Sequence, residues 1–149
     1  MNQITLKRFN ELSVDELYDF LKLRVDVFVV EQSCPYPELD NIDKALTTVH
    51  FLVRHAGEIV AYGRCYEKTD NILALGRIVV SKGARGNGSA KTLLRAMLAY
   101  CGNHSYCNVV FLSAQVYLKA FYRAFGFEEI GEEYLEDGIP HQDMQLNLQ

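Results

Sequence analysis

Apolar and polar positions change period several times along the chain, and each change marks an expected element. Ile4-Thr5-Leu6-Lys7-Arg8-Phe9 alternates and predicts a first strand. Ser13-Val14-Asp15-Glu16 reads as a capping box, with Ser13 at the N-cap and Glu16 reaching back to it. A helix is expected from Val14 to about Val29, with Leu17, Phe20, Leu21 and Phe28 near helical spacing. Cys34-Pro35-Tyr36-Pro37 cannot continue it, because proline lacks an N–H and restricts its predecessor. Residues 31 to 45 are therefore expected to form a loop with one short turn, long enough to be functional. Three strands follow, Thr47–His55, Ile59–Glu67 and Ile72–Val80, separated by turn signals at Gly57-Glu58 and Asp70-Asn71. A helical stripe of Leu93, Leu94, Met97 and Leu98 predicts a helix from Ser89 to about Cys101. Val109–Ser113 has the composition of a buried strand, and Tyr117–Phe125 that of a short helix closed by Gly126. Two last strands, near Glu128–Tyr134 and His141–Leu148, flank the turn Asp137-Gly138.

This order predicts one α/β domain over residues 1–149: a mixed, mostly antiparallel sheet of six to seven strands with helices on both faces. Composition changes that picture little. Apolar residues make up 49% and charged residues 23%, ordinary globular usage. A net charge of -4 argues against a nucleic-acid partner, although Lys82, Arg85 and Lys91 form a local basic patch. Cys34, Cys65, Cys101 and Cys107 form no C-x-x-C pair and match no zinc spacing, so free thiols and no metal are expected. Met1–Asn10 has no apolar leader region, and no apolar run approaches the ~20 residues of a membrane span. The expectation is a cytoplasmic protein without a membrane partner.

The chemistry-bearing signal is Ile78-Val79-Val80 followed by Arg85-Gly86-Asn87-Gly88-Ser89-Ala90-Lys91. A buried strand enters a glycine-rich turn that opens a helix. The first N–H groups of a helix lack internal partners, and the macrodipole there favours negative charge. Gly86 and Gly88 let the backbone curl towards a ligand, which makes a phosphate cradle. A P-loop is excluded, because Arg85 and Ala90 stand where its glycines belong. A dinucleotide fingerprint fails at its third glycine, which is Lys91. The pattern R-x-x-G-x-[GA] fits in full with Arg85, Gly88 and Ala90. So short a string is equally compatible with a solvated helix start that holds no ligand.

The loop and its preceding strand resemble the acetyl-CoA site of the GNAT superfamily. Gln115, Tyr122, Gly126 and Phe127 stand at the spacing of that superfamily's later motif, with Gln115 and Leu118 departing from its usual residues. Arg24, the run Val27–Gln32, Cys34–Asp40, Ala114-Gln115 and Gly138-Ile139-Pro140-His141 are similar to the ElaA family. The resemblance implies a GNAT-type sheet whose strands Ile72–Val80 and Val109–Ser113 splay apart. Pantetheine would lie along Ile78, Val79 and Val80. The diphosphate would sit on Arg85, Gly86, Asn87, Gly88, Ser89, Ala90 and Lys91, and Gln115 and Tyr122 would also touch the coenzyme. A primary amine of a small molecule or peptide would attack the thioester directly, with Tyr122 as donor to the leaving sulfur. The alternative for Tyr122 is a packed aromatic. An alkyl ammonium has a pKa near 10, so a base is required. Glu31, His141 and His50 are the candidates, while Tyr36, Asp40, Asp43 and His50 are candidates to line the acceptor pocket. Arg77 reads as a structural ion-pair partner. A C-terminal strand edge offers a surface for a homodimer. Two rival readings remain at this level: a non-catalytic acyl-CoA-binding module, which needs neither Tyr122 nor a base, and a small nucleotide-phosphate binder.

Overall fold

The computed structural model describes residues 2–148. The elements in chain order are β1 (Asn2–Arg8), α1 (Val14–Arg24), β2 (Val49–His55), β3 (Glu58–Thr69), β4 (Ile72–Val80), α2 (Ser89–Gly102), β5 (Val109–Gln115), α3 (Lys119–Arg123), β6 (Glu128–Glu136) and β7 (Ile139–Asn147). The strands form a seven-stranded sheet in the order β1-β2-β3-β4-β5-β7-β6. All neighbours run antiparallel except β4 and β5.

Period-two alternation within the strands builds a core on each face. Phe51, Val53 and Ala61 pack with Leu93, Leu94 and Met97 of α2 and with Tyr122 of α3. Leu52, Tyr62 and Val79 point the other way, against Phe20 and Leu23 of α1 and Val27 beyond it. The expected capping box is present: Ser13 Oγ accepts from the Glu16 amide at 3.0 Å, and the Glu16 carboxylate accepts from the Ser13 amide at 2.9 Å.

The predicted first helix ends earlier than expected. After Arg24 the chain widens into a π-helical segment, Val25–Glu31, with amide bonds from Gln32 to Val27 and from Cys34 to Val29. Four valines, Val25, Val27, Val29 and Val30, fall in this stretch and lower its α-helix propensity. The wider turn brings both Val27 and Phe28 to one wall of the cleft described below. The short turn of the following loop falls at Ile42–Lys44.

Beside this segment, β4 departs from its partners twice. It pairs with β5 only from Ile72↔Val109 to Leu75↔Leu112. On its other edge, Tyr62 opposes Val79 and Arg64 opposes Gly76, so Arg77 and Ile78 together face Gly63. This is a bulge, and Arg77 within it has a left-handed φ of 50°. Such backbone costs an arginine roughly 1–3 kcal/mol unless its surroundings impose it. Here they do: Arg77 donates to Glu38 Oε2 at 2.8 Å and to the Glu38 carbonyl at 3.0 Å.

Candidate active site

Beyond Leu75 and Leu112 the two strands part, and the gap opens into a cleft of about 710 Å³. Its walls come from β4, the start of α2, the end of β5, α3, the π-helical segment and the β6–β7 turn. Gly76, Arg77, Ile78, Val79 and Val80 line it with a strand edge that has no β5 partner.

At one end lies the glycine loop. Gly86 and Gly88 have φ of 85° and 86°, left-handed conformations that glycine adopts without the Cβ penalty. Among the described residues, the amides of Gly86, Gly88, Ala90 and Lys91 have no hydrogen-bond partner. All four residues line the cleft. Two expected contacts of this loop turn out differently. Asn87 does not line the cleft; its Oδ1 accepts from the Ser89 amide at 3.1 Å and from Ser89 Oγ at 2.7 Å. The Ser89 amide is thus already satisfied, and Asn87 shapes the loop instead of binding through it.

Arg85 lines the cleft but is held from outside. Its guanidinium meets Glu31 in a bidentate pair at 2.7 and 2.9 Å. This corrects the expectation for Glu31 as a base. The Arg85 hydrogen bonds keep its carboxylate below the usual range, which makes it a poorer proton acceptor. The pair is half-exposed and competes with any anion that reaches Arg85. Glu31→Gln is therefore expected to tighten coenzyme A binding ~2–5-fold at low salt, an exposed-pair effect that calorimetry reads and high salt removes.

Tyr122 also lines the cleft and is 5% exposed. No hydrogen bond engages its hydroxyl among the described residues. Burial raises its pKa well above that of an ordinary phenol, so it keeps its proton and presents a donor to the cleft. Phe121 and Phe127 pack edge-on against its ring.

His141 lines the cleft as well. Its Nδ1 lies 2.7 Å from the Ile139 carbonyl, which can only accept, so that nitrogen carries the hydrogen. In the neutral ring Nε2 then keeps its lone pair; it faces Glu136 Oε2 at 3.6 Å. Tyr134 stacks on the imidazole. Gln115 lines the cleft and exchanges amide hydrogen bonds with Gln32 at 3.2 Å, which ties the end of β5 to the π-helical segment.

Two acceptor-site expectations are corrected. His50 is fully buried on the α1 face and does not line the cleft. Its ring nitrogens meet Tyr62 Oη at 2.6 Å and the Asp43 carbonyl at 2.9 Å, and burial lowers its pKa. Asp40 is bound to Arg64 at 2.6 Å and to Arg77 at 3.4 Å and lies outside the cleft. Asp43 is likewise consumed, by Arg24 at 2.8 Å and Arg64 at 2.9 Å. Tyr36 does reach the wall, its hydroxyl donating to Glu38 Oε1 at 2.5 Å.

Glu136, Asp137, Cys34 and Ser113 line the cleft and were missed. Asp137-Gly138 is visible in the sequence only as a turn. Nothing local says that the turn closes over the gap between β4 and β5.

Residues 19–148 match a family described as the acetyltransferase (GNAT) domain. The chain belongs to the GNAT acetyltransferase family. A UPF0039 protein of Schizosaccharomyces pombe is 43% identical over 98% of this chain and 97% of the relative. Protein ElaA of Escherichia coli is 42% identical over 91% of this chain and 90% of its own length. The crystal structure of Escherichia coli ElaA superposes with a TM-score of 0.93, covering 99% of this GNAT chain and all of that one. A structure described as an acyl-CoA N-acyltransferase from Pseudomonas aeruginosa gives a TM-score of 0.92 at 38% identity, covering 98% and 99%. Membership makes this GNAT protein an acyltransferase, and its seven-stranded splayed sheet is the family's fold. No helix among the described residues is long and apolar enough to cross a membrane.

Proposed function

We propose that the chain transfers an acetyl group from acetyl-CoA to a primary amine by direct attack. The observation that carries this reading is the alignment of three features along one cleft: unpaired amides at the α2 start, the unpaired β4 edge, and the free Tyr122 hydroxyl. The diphosphate belongs on the amides of Gly86, Gly88, Ala90 and Lys91. Pantetheine belongs along Ile78, Val79 and Val80, as a small form of strand addition. A main-chain amide near Val79 or Val80 would polarise the thioester carbonyl.

In the reaction, the amine lone pair attacks the thioester carbonyl carbon. The C–N bond forms, the C–S bond breaks with its electron pair leaving on sulfur, one amine proton leaves to His141 Nε2, and the thiolate takes its proton from solvent. Tyr122 supports that last step as a hydrogen-bond donor more than as a full acid. A thiol has a pKa near 8.5, so a thiolate cannot readily deprotonate a phenol raised above 10. Four free cysteines fit a reducing compartment, so the cytoplasm is the compartment proposed.

Tyr122→Phe tests the reading. Coenzyme A affinity should change little while kcat falls ~10–100-fold, the loss of one donor aimed at developing charge. Unchanged kcat would remove Tyr122 from the chemistry. A non-catalytic coenzyme-binding module predicts coenzyme binding with no amine-dependent release of free thiol.

A further inference from the structure

The acceptor end of the cleft is electrically unlike its coenzyme end. At the coenzyme end, Lys91 has no carboxylate partner among the described residues, and the α2 start adds its dipole. Around the acceptor end, most charges cancel. Arg24, Arg64 and Arg77 are matched by Glu38, Asp40 and Asp43 in one closed network. Glu129 and Glu133 on β6 are taken by Lys119 and Arg123. Asp143 accepts from the Tyr134 hydroxyl at 2.6 Å, and Tyr134 also meets Ser113.

Two lining groups remain uncompensated. Glu136 is half-exposed and, among the described residues, has only His141 Nε2, at 3.6 Å. Asp137 lends its backbone carbonyl to Cys34 Sγ at 3.2 Å, and its carboxylate has no partner among the described residues. These acids line the same cavity as Tyr122, a residue 5% exposed whose hydroxyl has no partner among the described residues.

Chemistry then narrows the acceptor. The nitrogen that attacks must be neutral, so its own charge cannot hold the reacting complex to a carboxylate. A second ammonium on the same molecule keeps its proton and can. A carboxylate beside the reacting amine would find no free cation here, because Arg77 is engaged by Glu38 and Asp40. We propose that the acceptor is an alkyl di- or polyamine whose second ammonium is held by Glu136 and Asp137 at the β6–β7 turn, a reading that rests on the proposed acetyl transfer and specifies it.

The test compares 1,4-diaminobutane, n-butylamine and ornithine, which is the same diamine with a carboxylate on one amine-bearing carbon, each with acetyl-CoA. The diamine should exceed both others in kcat/KM by at least roughly tenfold, the value of one anchored charge. Glu136→Gln should bring the diamine-to-butylamine ratio towards one, chiefly through KM. Asp137→Asn should lower the same ratio while keeping the left-handed turn, which asparagine tolerates. The second variant decides the matter should Glu136→Gln lower the thermal midpoint. Ornithine turned over as well as the diamine, or a ratio unmoved in both variants, overturns the assignment. So does a lack of turnover with all three amines while calorimetry still registers coenzyme A. Failure of coenzyme A to bind instead brings down the acetyl-transfer reading beneath it.

Discussion

Gly88→Asp is expected to weaken coenzyme A binding at least roughly a hundredfold, or about 2.7 kcal/mol, while the protein stays folded. Gly88 occupies the N-cap of α2 at a φ of 86°. A Cβ built there meets nothing within 4 Å, so space is not the obstacle. Left-handed backbone costs a non-glycine residue roughly 1–2 kcal/mol, with aspartate among the more tolerant. An acidic group at a helix N-terminus returns about 0.3–1 kcal/mol through the dipole. The net change in stability is therefore small. Binding suffers far more, because the new carboxylate sits among the amides of Gly86, Ala90 and Lys91 and repels the diphosphate. Gly88→Ala supplies the control: it carries the backbone cost without the charge. Calorimetry should show near-complete loss for aspartate and a much smaller loss for alanine. Equal losses would mean that loop shape, not electrostatics, governs the site.

Arg24→Met is expected to lower stability by about 3 kcal/mol, seen as a thermal midpoint roughly 6–12 °C lower. Arg24 is fully buried and binds Glu38 at 2.5 Å and Asp43 at 2.8 Å. Its guanidinium also lies over the rings of Phe20 and Tyr62, at 5.8 and 5.5 Å. Methionine keeps much of the stem volume but leaves two buried carboxylates with Arg64 and Arg77 alone. Burial disfavours their charge, and the missing partner no longer offsets it. The same change should loosen the bulge at Arg77, since Glu38 holds both arginines, and so raise the KM for acetyl-CoA beyond what the midpoint shift implies. A midpoint within about 2 °C of the parent would show that Arg64 and Arg77 suffice.

Local signals in the chain already determined much of this protein. The turn signals at Gly57-Glu58 and Asp70-Asn71 separated β2, β3 and β4, because a chain reverses where glycine and asparagine tolerate left-handed backbone. Ser13 and Glu16 marked a helix start, because orphan amides need acceptors within reach. Gly86 and Gly88 announced the tight loop at the start of α2, because left-handed turns favour a residue without a Cβ. Each of these rests on forces acting over a few residues.

The fate of the charged groups did not. His50, Asp40 and Glu31 have the same titratable chemistry as His141, Glu136 and Asp137, and their immediate sequence neighbours do not distinguish them. Only the fold put Arg64 beside Asp40, Arg85 beside Glu31 and Tyr62 beside His50, which ties these groups up outside the lining of the cleft. Among the described residues, the fold also left Glu136 and Asp137 without such partners in the lining of the cleft. Charge acts through space and is quenched by whatever lies within a few ångströms, often from dozens of residues away along the chain. The loop was therefore legible in one dimension, and the charged lining of the cleft required three.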